Sequence, residues 1–167
     1  MNKALLLGLS LLLASPAIAQ TAFPVPASYS FKSRVDYDQY APQIIETVNW
    51  LEASTLPPDD PQRTEANTFL MKWLTGSPTV TVDVQPYVLE LYGKDASLLM
   101  AFMGGWTRYA LQHPTEKDKV VLNTEGVKTL LNVYKLKGGK NNKKASELLK
   151  LEEQGKLADW VKGRVKA

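Results

Sequence analysis

The sequence predicts an all-α protein, an irregular bundle of five to seven helices with room for one short two-stranded β-ribbon. Three observations predict this class. Apolar residues recur at steps of three and four along most of the chain, which is the period of an amphipathic helix. Residues typical of helix caps, together with proline and glycine, separate these apolar stripes. Only two short segments, near residues 29–33 and 80–84, alternate with the period of a strand.

The N-terminus has the pattern of a secretory signal peptide over residues 1–19. Lys3 gives a positive start, an apolar run follows over residues 4–14, and Ala17-Ile18-Ala19 forms a small-x-small cleavage site. We therefore expect export and cleavage near Ala19–Gln20. The chain has no cysteine, so disulfides do not contribute, and this favours a bacterial periplasm or the cell exterior.

After the signal peptide we expect an extended segment over residues 20–37 and a single α-helical domain over residues 38–167. The first helix is predicted over Gln39–Ala53, with Asp38 as its N-cap and Pro42 in its first turn. The second helix is framed at both ends, because Asp60-Pro61 is a cap followed by proline and Gly76 suits a stop.

The segment from Val80 to Val84 alternates valine with polar residues, which is typical of a strand with one buried face. A lone strand is unstable, and residues 29–35 are the other candidate partner. The two segments either form a small ribbon or are both extended linkers, and the pattern does not separate these alternatives.

Caps and breakers in the second half of the chain predict five further helices. Pro86 opens a short helix that Gly93 closes, and Asp95 caps a longer one that Pro114 ends. Thr115 is the expected cap of the following helix, which reaches Gly138 and is bent or broken near residues 123–126. Two more helices are expected over residues 143–154, with Asn142 as cap, and over residues 157–164.

The helix after Asp95 carries an unusual stretch, LLMAFMGGWTRYALQHP, over residues 98–114. A helical projection places one apolar face at Leu99, Phe102, Met103, Trp106, Ala110 and His113, and the opposite face at Ala101, Gly104, Gly105, Arg108 and Gln112. Two adjacent glycines cost a helix about 1 kcal/mol each relative to alanine, so they need a reason. That reason is either close packing of a neighbouring helix, which is the commoner one, or the floor of a ligand groove. The candidate binding residues are Gly104, Gly105, Trp106, Arg108, Tyr109 and Gln112.

Several classes of chemistry lack the residues that they need. Without cysteine there is no thiol catalysis, and one histidine, His113, does not make a transition-metal site. Ser77 is followed by proline, which removes an oxyanion-hole amide, and no phosphate-binding glycine loop appears. We therefore expect no metal, no cofactor and a non-catalytic protein.

One enzymatic alternative remains, a carbohydrate-active hydrolase that uses a pair of carboxylates. Acidic residues are numerous enough that such a pair is found by chance. Glu46 and Glu90 lie in apolar surroundings and would have a raised pKa if they were buried, although Glu46 lies beside its stripe and is expected to be exposed.

Charge is distributed unevenly along the chain. Residues 20–114 contain 6 basic and 10 acidic residues, whereas residues 115–167 contain 13 basic and 7 acidic residues. The candidate patch for a polyanion consists of Lys135, Lys137, Lys140, Lys143 and Lys144. It is either a binding surface or the solvated face of a turn and a helix. No aromatic residue or arginine lies among these lysines, so specific nucleic-acid binding is not expected.

Taken as a whole, these patterns favour an exported protein that binds an unknown protein or envelope component, with a weak polyanion contact as one form of that binding. No stretch beyond the N-terminal one is long and apolar enough to span a membrane.

Overall fold

The computed structural model describes residues 23–166, and within that range the fold is all-helical. Seven α-helices follow one another, and no strand occurs between residues 23 and 166: α1 Arg34–Ala53, α2 Pro61–Gly76, α3 Pro86–Tyr92, α4 Ala96–Gln112, α5 Lys119–Leu136, α6 Lys143–Glu153 and α7 Leu157–Lys162. The predicted class, an irregular helical bundle, is confirmed. The predicted signal peptide lies outside the described residues.

The first helix begins earlier than its sequence pattern predicts. Ser33, and not Asp38, is the N-cap, and a capping box joins Ser33 to Asp36. The Asp36 carboxylate accepts hydrogen bonds from the backbone N–H groups of Lys32 and Ser33, each at 2.8 Å. Because this cap satisfies free amides of the first turn, α1 begins at residue 34, and the extended segment ends at residue 33 instead of 37. Pro42 therefore lies inside the helix.

The N-terminal segment packs its aromatic residues on α1 and α2. The ring of Tyr29 lies 4.7 Å from that of Phe69, and the ring of Phe31 lies 5.3 Å from that of Tyr37. Phe23 packs edge-on against Trp50 at 5.3 Å. This part of the chain therefore contributes to the helical core without forming regular structure of its own.

No ribbon forms, so the linker alternative is the correct one. Val80 is buried and its N–H is bonded to the Ser77 hydroxyl at 3.1 Å, while Val82 and Val84 are half-buried. Residues 29–33 form no β-ladder with this segment, and the aromatic side chains of Tyr29 and Phe31 pack instead on the α1–α2 surface. The alternating valines anchor a connector instead.

The second helix is framed as predicted. The Asp60 carboxylate accepts from the N–H groups of Gln62 and Arg63, and Pro61 occupies the first turn. Trp73 is 1% exposed, and its indole N–H donates to the backbone oxygen of Tyr37 at 3.0 Å. That bond fixes α2 against the half of α1 that precedes Pro42.

Helix α4 lies at the centre of the bundle, so burial is not confined to the predicted apolar face and includes the glycines of the opposite face. It packs most extensively on α5 and also contacts α1 and α3. Residues on both sides are buried, among them Leu98, Phe102, Gly104, Gly105 and Trp106, whereas His113 is exposed. A helix with neighbours on several sides buries small residues where those neighbours approach most closely.

Helices α4 and α5 cross at a pair of reciprocal glycines. A Cβ atom on Gly105 would lie 2.6 Å from the Cβ of Thr129 and 2.8 Å from the backbone oxygen of Glu125. A Cβ atom on Gly126 would lie 2.9 Å from the backbone oxygen of Phe102. The predicted break near residues 123–126 is therefore wrong, because Gly126 lies inside α5 and permits the close crossing.

Two further helix starts complete the bundle. Helix α5 is capped by Asp118, whose carboxylate accepts from the N–H of Val120, and not by Thr115. Asn142 caps α6 as predicted, accepting from the N–H of Ala145 at 3.0 Å. Within residues 23–166 no helix combines the length and the apolar character needed to cross a membrane.

Candidate functional site

The candidate binding residues of α4 do not meet on one surface. Gly104 faces Val48 of α1 and Leu70 of α2, Gly105 faces α5, and Trp106 is 3% exposed in the core. Tyr109 is half-buried beside His113, with 4.2 Å between the ring centroids, and Gln112 is exposed. Close helix packing therefore explains the two glycines.

Arg108 ties three helices together. Its Nη1 donates to the Glu52 carboxylate of α1 and to Asn49 Oδ1 at 2.8 Å, and its Nη2 donates to Thr129 Oγ1 of α5 at 3.0 Å. The other oxygen of Glu52 accepts from Asn132 Nδ2 at 2.8 Å. This network engages three of the five N–H donors of Arg108 and holds the guanidinium between the helices.

The structure places most of the predicted lysine patch along one concave surface. A groove with a volume of about 1000 Å³ runs between the α3–α4 turn and the α5–α6 turn. Five lysines line it, and we call it the lysine groove: Lys94, Lys137, Lys140, Lys143 and Lys144. Lys135 is exposed but does not line the groove, and Lys94 is the member that sequence reasoning missed.

Left-handed backbone shapes both walls of the lysine groove. Gly93 has φ of 59°, and the opposite turn contains Gly138 at 92°, Gly139 at 62° and Asn141 at 65°. Residues that carry a side chain rarely adopt positive φ angles, and asparagine tolerates them better than most. The result is two short turns that end α3 and α5 sharply and bring their lysines to the same opening.

Asn142 fixes the two turns to each other. Its Nδ2 donates to the backbone oxygen of Leu91 in α3, while its Oδ1 caps α6. The hydroxyl of Tyr134 in α5 donates to the backbone oxygen of Asn142 at 3.1 Å. The groove is therefore bounded by turns that are hydrogen-bonded to neighbouring helices.

Two carboxylates in the groove are each paired with a lysine. Lys137 donates to Asp95, and Lys144 donates to Glu90. Burial on its own raises the pKa of Asp95, but hydrogen bonds from Lys137 and Ser97 outweigh burial and leave that pKa below its ordinary value. The hydrogen bond and charge of Lys144 lower the pKa of Glu90. Since five lysines face two ionised carboxylates, the lining carries a net charge of +3 at neutral pH.

A second groove, with a volume of about 480 Å³, continues from the first at Glu90 and Lys144, which line both. We call it the aromatic groove. Trp160 packs edge-on against Tyr87 at 5.3 Å, and the Arg164 guanidinium lies 3.9 Å from the Trp160 ring centroid. Lys150 and Arg164 add two cations to this lining, and Glu147 adds one carboxylate. The positively charged surface therefore extends beyond the lysine groove.

The carboxylates named for the hydrolase alternative are not buried. Glu46 is exposed on α1, and Glu90 is exposed with a lowered pKa. A general acid in glycoside cleavage needs the opposite shift, because it must hold its proton near neutral pH. Among residues 23–166, no three His, Cys, Asp or Glu side chains cluster in a way that could hold a metal ion.

Comparison of this chain with protein-family models, with curated proteins and with solved structures gives no match. The lysine groove and its surroundings are therefore the features of this chain that bear on its function.

Proposed function

We propose that this chain is an exported, non-catalytic binding protein that takes an anionic polysaccharide in the lysine groove. One observation carries the proposal: five lysines from two separate parts of the chain line the same groove. Lys94 comes from the α3–α4 turn, and the other four follow it by 43 or more residues. A lysine-rich solvated surface needs no such convergence. A concave surface with excess positive charge attracts a polyanion and favours its binding over that of neutral glycans.

The groove lining is better suited to binding the charged groups of a polyanion than to stacking on nucleic-acid bases or sugar rings. Its cations are all lysines, which are flexible point charges, and sulfate or carboxylate groups spaced along a glycan meet them without a fixed angle. The lysine side chains are exposed, so binding would release counterions and weaken as salt rises. Two aromatic residues, Tyr92 and Tyr134, also line the groove, but Tyr134 is only 4% exposed, so the lining lacks the series of stacking aromatics that single-stranded nucleic acids need.

Export is part of the proposal and is supported by the N-terminal pattern and by the absence of cysteine. An exported protein meets envelope and extracellular glycans, whereas a cytoplasmic one would meet nucleic acids first. Mass spectrometry of the protein from a bacterial host tests this part, since we expect an N-terminus at Gln20. Recovery of the uncleaved chain from the cytoplasm would contradict it.

Heparin chromatography of residues 20–167 tests the binding. Replacing Lys140, Lys143 and Lys144 with glutamine should lower the salt concentration at which the protein elutes. The matched control replaces Lys32, Lys117 and Lys156, which are exposed and lie away from the groove lining, and removes the same net charge. Equal elution of the two triple variants would refute the groove, and stronger retention on DNA than on heparin would contradict the choice of polysaccharide.

One observation keeps the hydrolase as a second candidate, since Glu90 and Glu147 both line the aromatic groove with Trp160. Aromatic faces are common supports for sugar rings, and a pair of carboxylates is the minimum for cleavage. Turnover of a polysaccharide that is lost in both Glu90→Gln and Glu147→Gln would favour this candidate. Binding without turnover would favour the first.

A further inference from the structure

Arg63 is a buried arginine without a carboxylate partner among residues 23–166. Arg63 lies on the first turn of α2 and is only 5% exposed. Nη1 donates to the backbone oxygen of Ser54 at 3.2 Å, and Nε is buried without a hydrogen-bond partner among the described residues. Arginine is rarely buried this deeply unless it is paired.

The surroundings compensate this charge only partly. Burial lowers the pKa of the Arg63 guanidinium, and the carboxylate of Asp95 opposes that shift from a distance. Asp95 is already engaged by Lys137 and by the hydroxyl and N–H of Ser97. A buried cation with free donors and no partner of its own is costly unless something else binds to it.

Two spaces adjoin Arg63. The inner one measures about 10 Å³, which is room for about one water molecule, and Asn67 and Ser97 are among its polar lining residues. The outer one is a cleft of about 270 Å³ between residues 54–58 and the end of α5. Lys137 lines this cleft as well, so two cations border one small opening.

We propose that this cleft, which we call the Arg63 cleft, binds a small oxyanion group, either a carboxylate or a phosphate. Both groups present paired oxygens that match the forked donors of a guanidinium, and both carry the charge that Arg63 lacks. Lys137 at the rim donates to Asp95 and Ser97 with two of its three N–H groups, and the third supplies a second contact. Leu136 and the two prolines at positions 57 and 58 give the cleft an apolar lining on the remaining sides.

The size of the cleft limits the ligand to a small anion or to the end of a longer one. Pockets for drug-sized ligands usually span about 300–1,000 Å³, which is larger than this opening. Pro58 and Lys137 line both the cleft and the lysine groove, so the two spaces adjoin. The proposal does not depend on the lysine groove, because a free small anion would bind at Arg63 without a polymer.

Arginine side-chain NMR reads this site directly. The chain contains four arginines, so a sample labelled with ¹⁵N-arginine gives few Nε–H signals, and Arg63→Lys assigns the one of interest. Titration of residues 20–167 with inorganic phosphate and, separately, with acetate should shift the Arg63 signal to saturation. Arg34, exposed and paired with Asp38, is the internal control and should move little.

Two variants test the contacts. Lys137→Gln removes the exposed rim cation and should weaken anion binding roughly tenfold, which corresponds to the loss of one charged hydrogen bond. Lys117→Gln, at an exposed lysine that lines neither the cleft nor the lysine groove, should leave the affinity unchanged. Because Lys137 is exposed, this comparison holds even if replacing the buried Arg63 prevents folding.

The outcomes separate clearly. Saturation by phosphate alone assigns a phosphate group, saturation by acetate alone assigns a carboxylate, and saturation by both supports a general oxyanion site. Equal and unsaturated shifts at Arg63 and Arg34 would overturn the proposal. If the unaltered protein does not bind heparin but its Arg63 signal still titrates to saturation, the lysine groove alone is refuted.

Discussion

Thr129 of α5 fills the space that a side chain at Gly105 of α4 would occupy. The two helices touch through backbone and Cβ atoms, since the Glu125 backbone oxygen lies 2.8 Å from the position of an added Cβ. The Thr129 Oγ1 atom lies nearest to that position, and rotating it away would still leave the Thr129 Cβ and the Glu125 backbone oxygen too close. The Gly-Gly pair of α4 is thus a packing requirement of the bundle, and the search for function moves to the surface.

Gly105→Ala should destabilise the fold by about 1–3 kcal/mol, because α4 and α5 must separate to admit the methyl group. Urea unfolding measures the change. Gly163→Ala is the matched control, since Gly163 has ordinary helical dihedrals and its nearest contacts lie at 3.7 Å. The control should be neutral or stabilised by up to about 1 kcal/mol. Similar stabilities of the two variants would contradict the close crossing.

Glu52→Ala should cost about 1.5–3 kcal/mol, because it removes the partner of a half-buried arginine and of Asn132. The side chains of Arg108 and Glu52 are 23% and 17% exposed. Asp38→Ala breaks the Arg34–Asp38 pair, whose side chains are 72% and 58% exposed, and should cost no more than about 0.5 kcal/mol. Equal losses in thermal or urea unfolding would show that the Arg108 network does not hold the helices together.

Asp95 should make stability depend on pH in acid. Its pKa is lower in the folded protein than in the unfolded chain, so its contribution is present above the ordinary value of about 4 and is lost as the pH falls through the lower folded value. Asp95→Asn removes the charge and keeps an N-cap residue. The difference in unfolding free energy between wild type and variant should be constant near neutral pH and shrink below about pH 4. A difference that does not change with pH would contradict the assigned pairing with Lys137.

Asn142→Ser should loosen the α5–α6 turn without uncapping α6. Serine caps helices about as well as asparagine, but its hydroxyl is too short to reach the Leu91 backbone oxygen. Amide hydrogen exchange should therefore become faster in residues 138–142 while global stability changes by less than about 1 kcal/mol. Asn142→Ala, which also loses the cap, should lower global stability further. Unchanged exchange in the serine variant would show that the turn is held by other contacts.

Features with a local cause could be read from the sequence. Asp60-Pro61 and Asn142 were predicted as helix starts because a cap acts within its own turn. The start of α1 was missed because both Ser33 and Asp38 are good caps, and Pro42 suits a first turn. The Ser33–Asp36 capping box decides between them, and α1 accommodates Pro42, which is exposed.

Features with a tertiary cause could not be read in the same way. Gly126 resembles a helix break until Phe102 is placed across from it, and the lysines of residues 135–144 gain a groove only when the turn at Gly93 and Lys94 lies opposite. Arg63 lies inside a well-predicted helix, and nothing in its local pattern shows that it is buried without a carboxylate. These juxtapositions depend on how the helices pack, which single-sequence periodicity does not encode.

The salt dependence of heparin affinity tests the central claim, the lysine groove, most directly. Calorimetric titration of residues 20–167 between about 50 and 200 mM NaCl gives the slope of log K against log salt, which counts the ion contacts that form. The variant with Lys140, Lys143 and Lys144 replaced by glutamine should show a slope shallower by about three, one for each lysine. The control triple at Lys32, Lys117 and Lys156 should keep the wild-type slope. Identical slopes for the groove variant and the wild type would contradict binding in the groove.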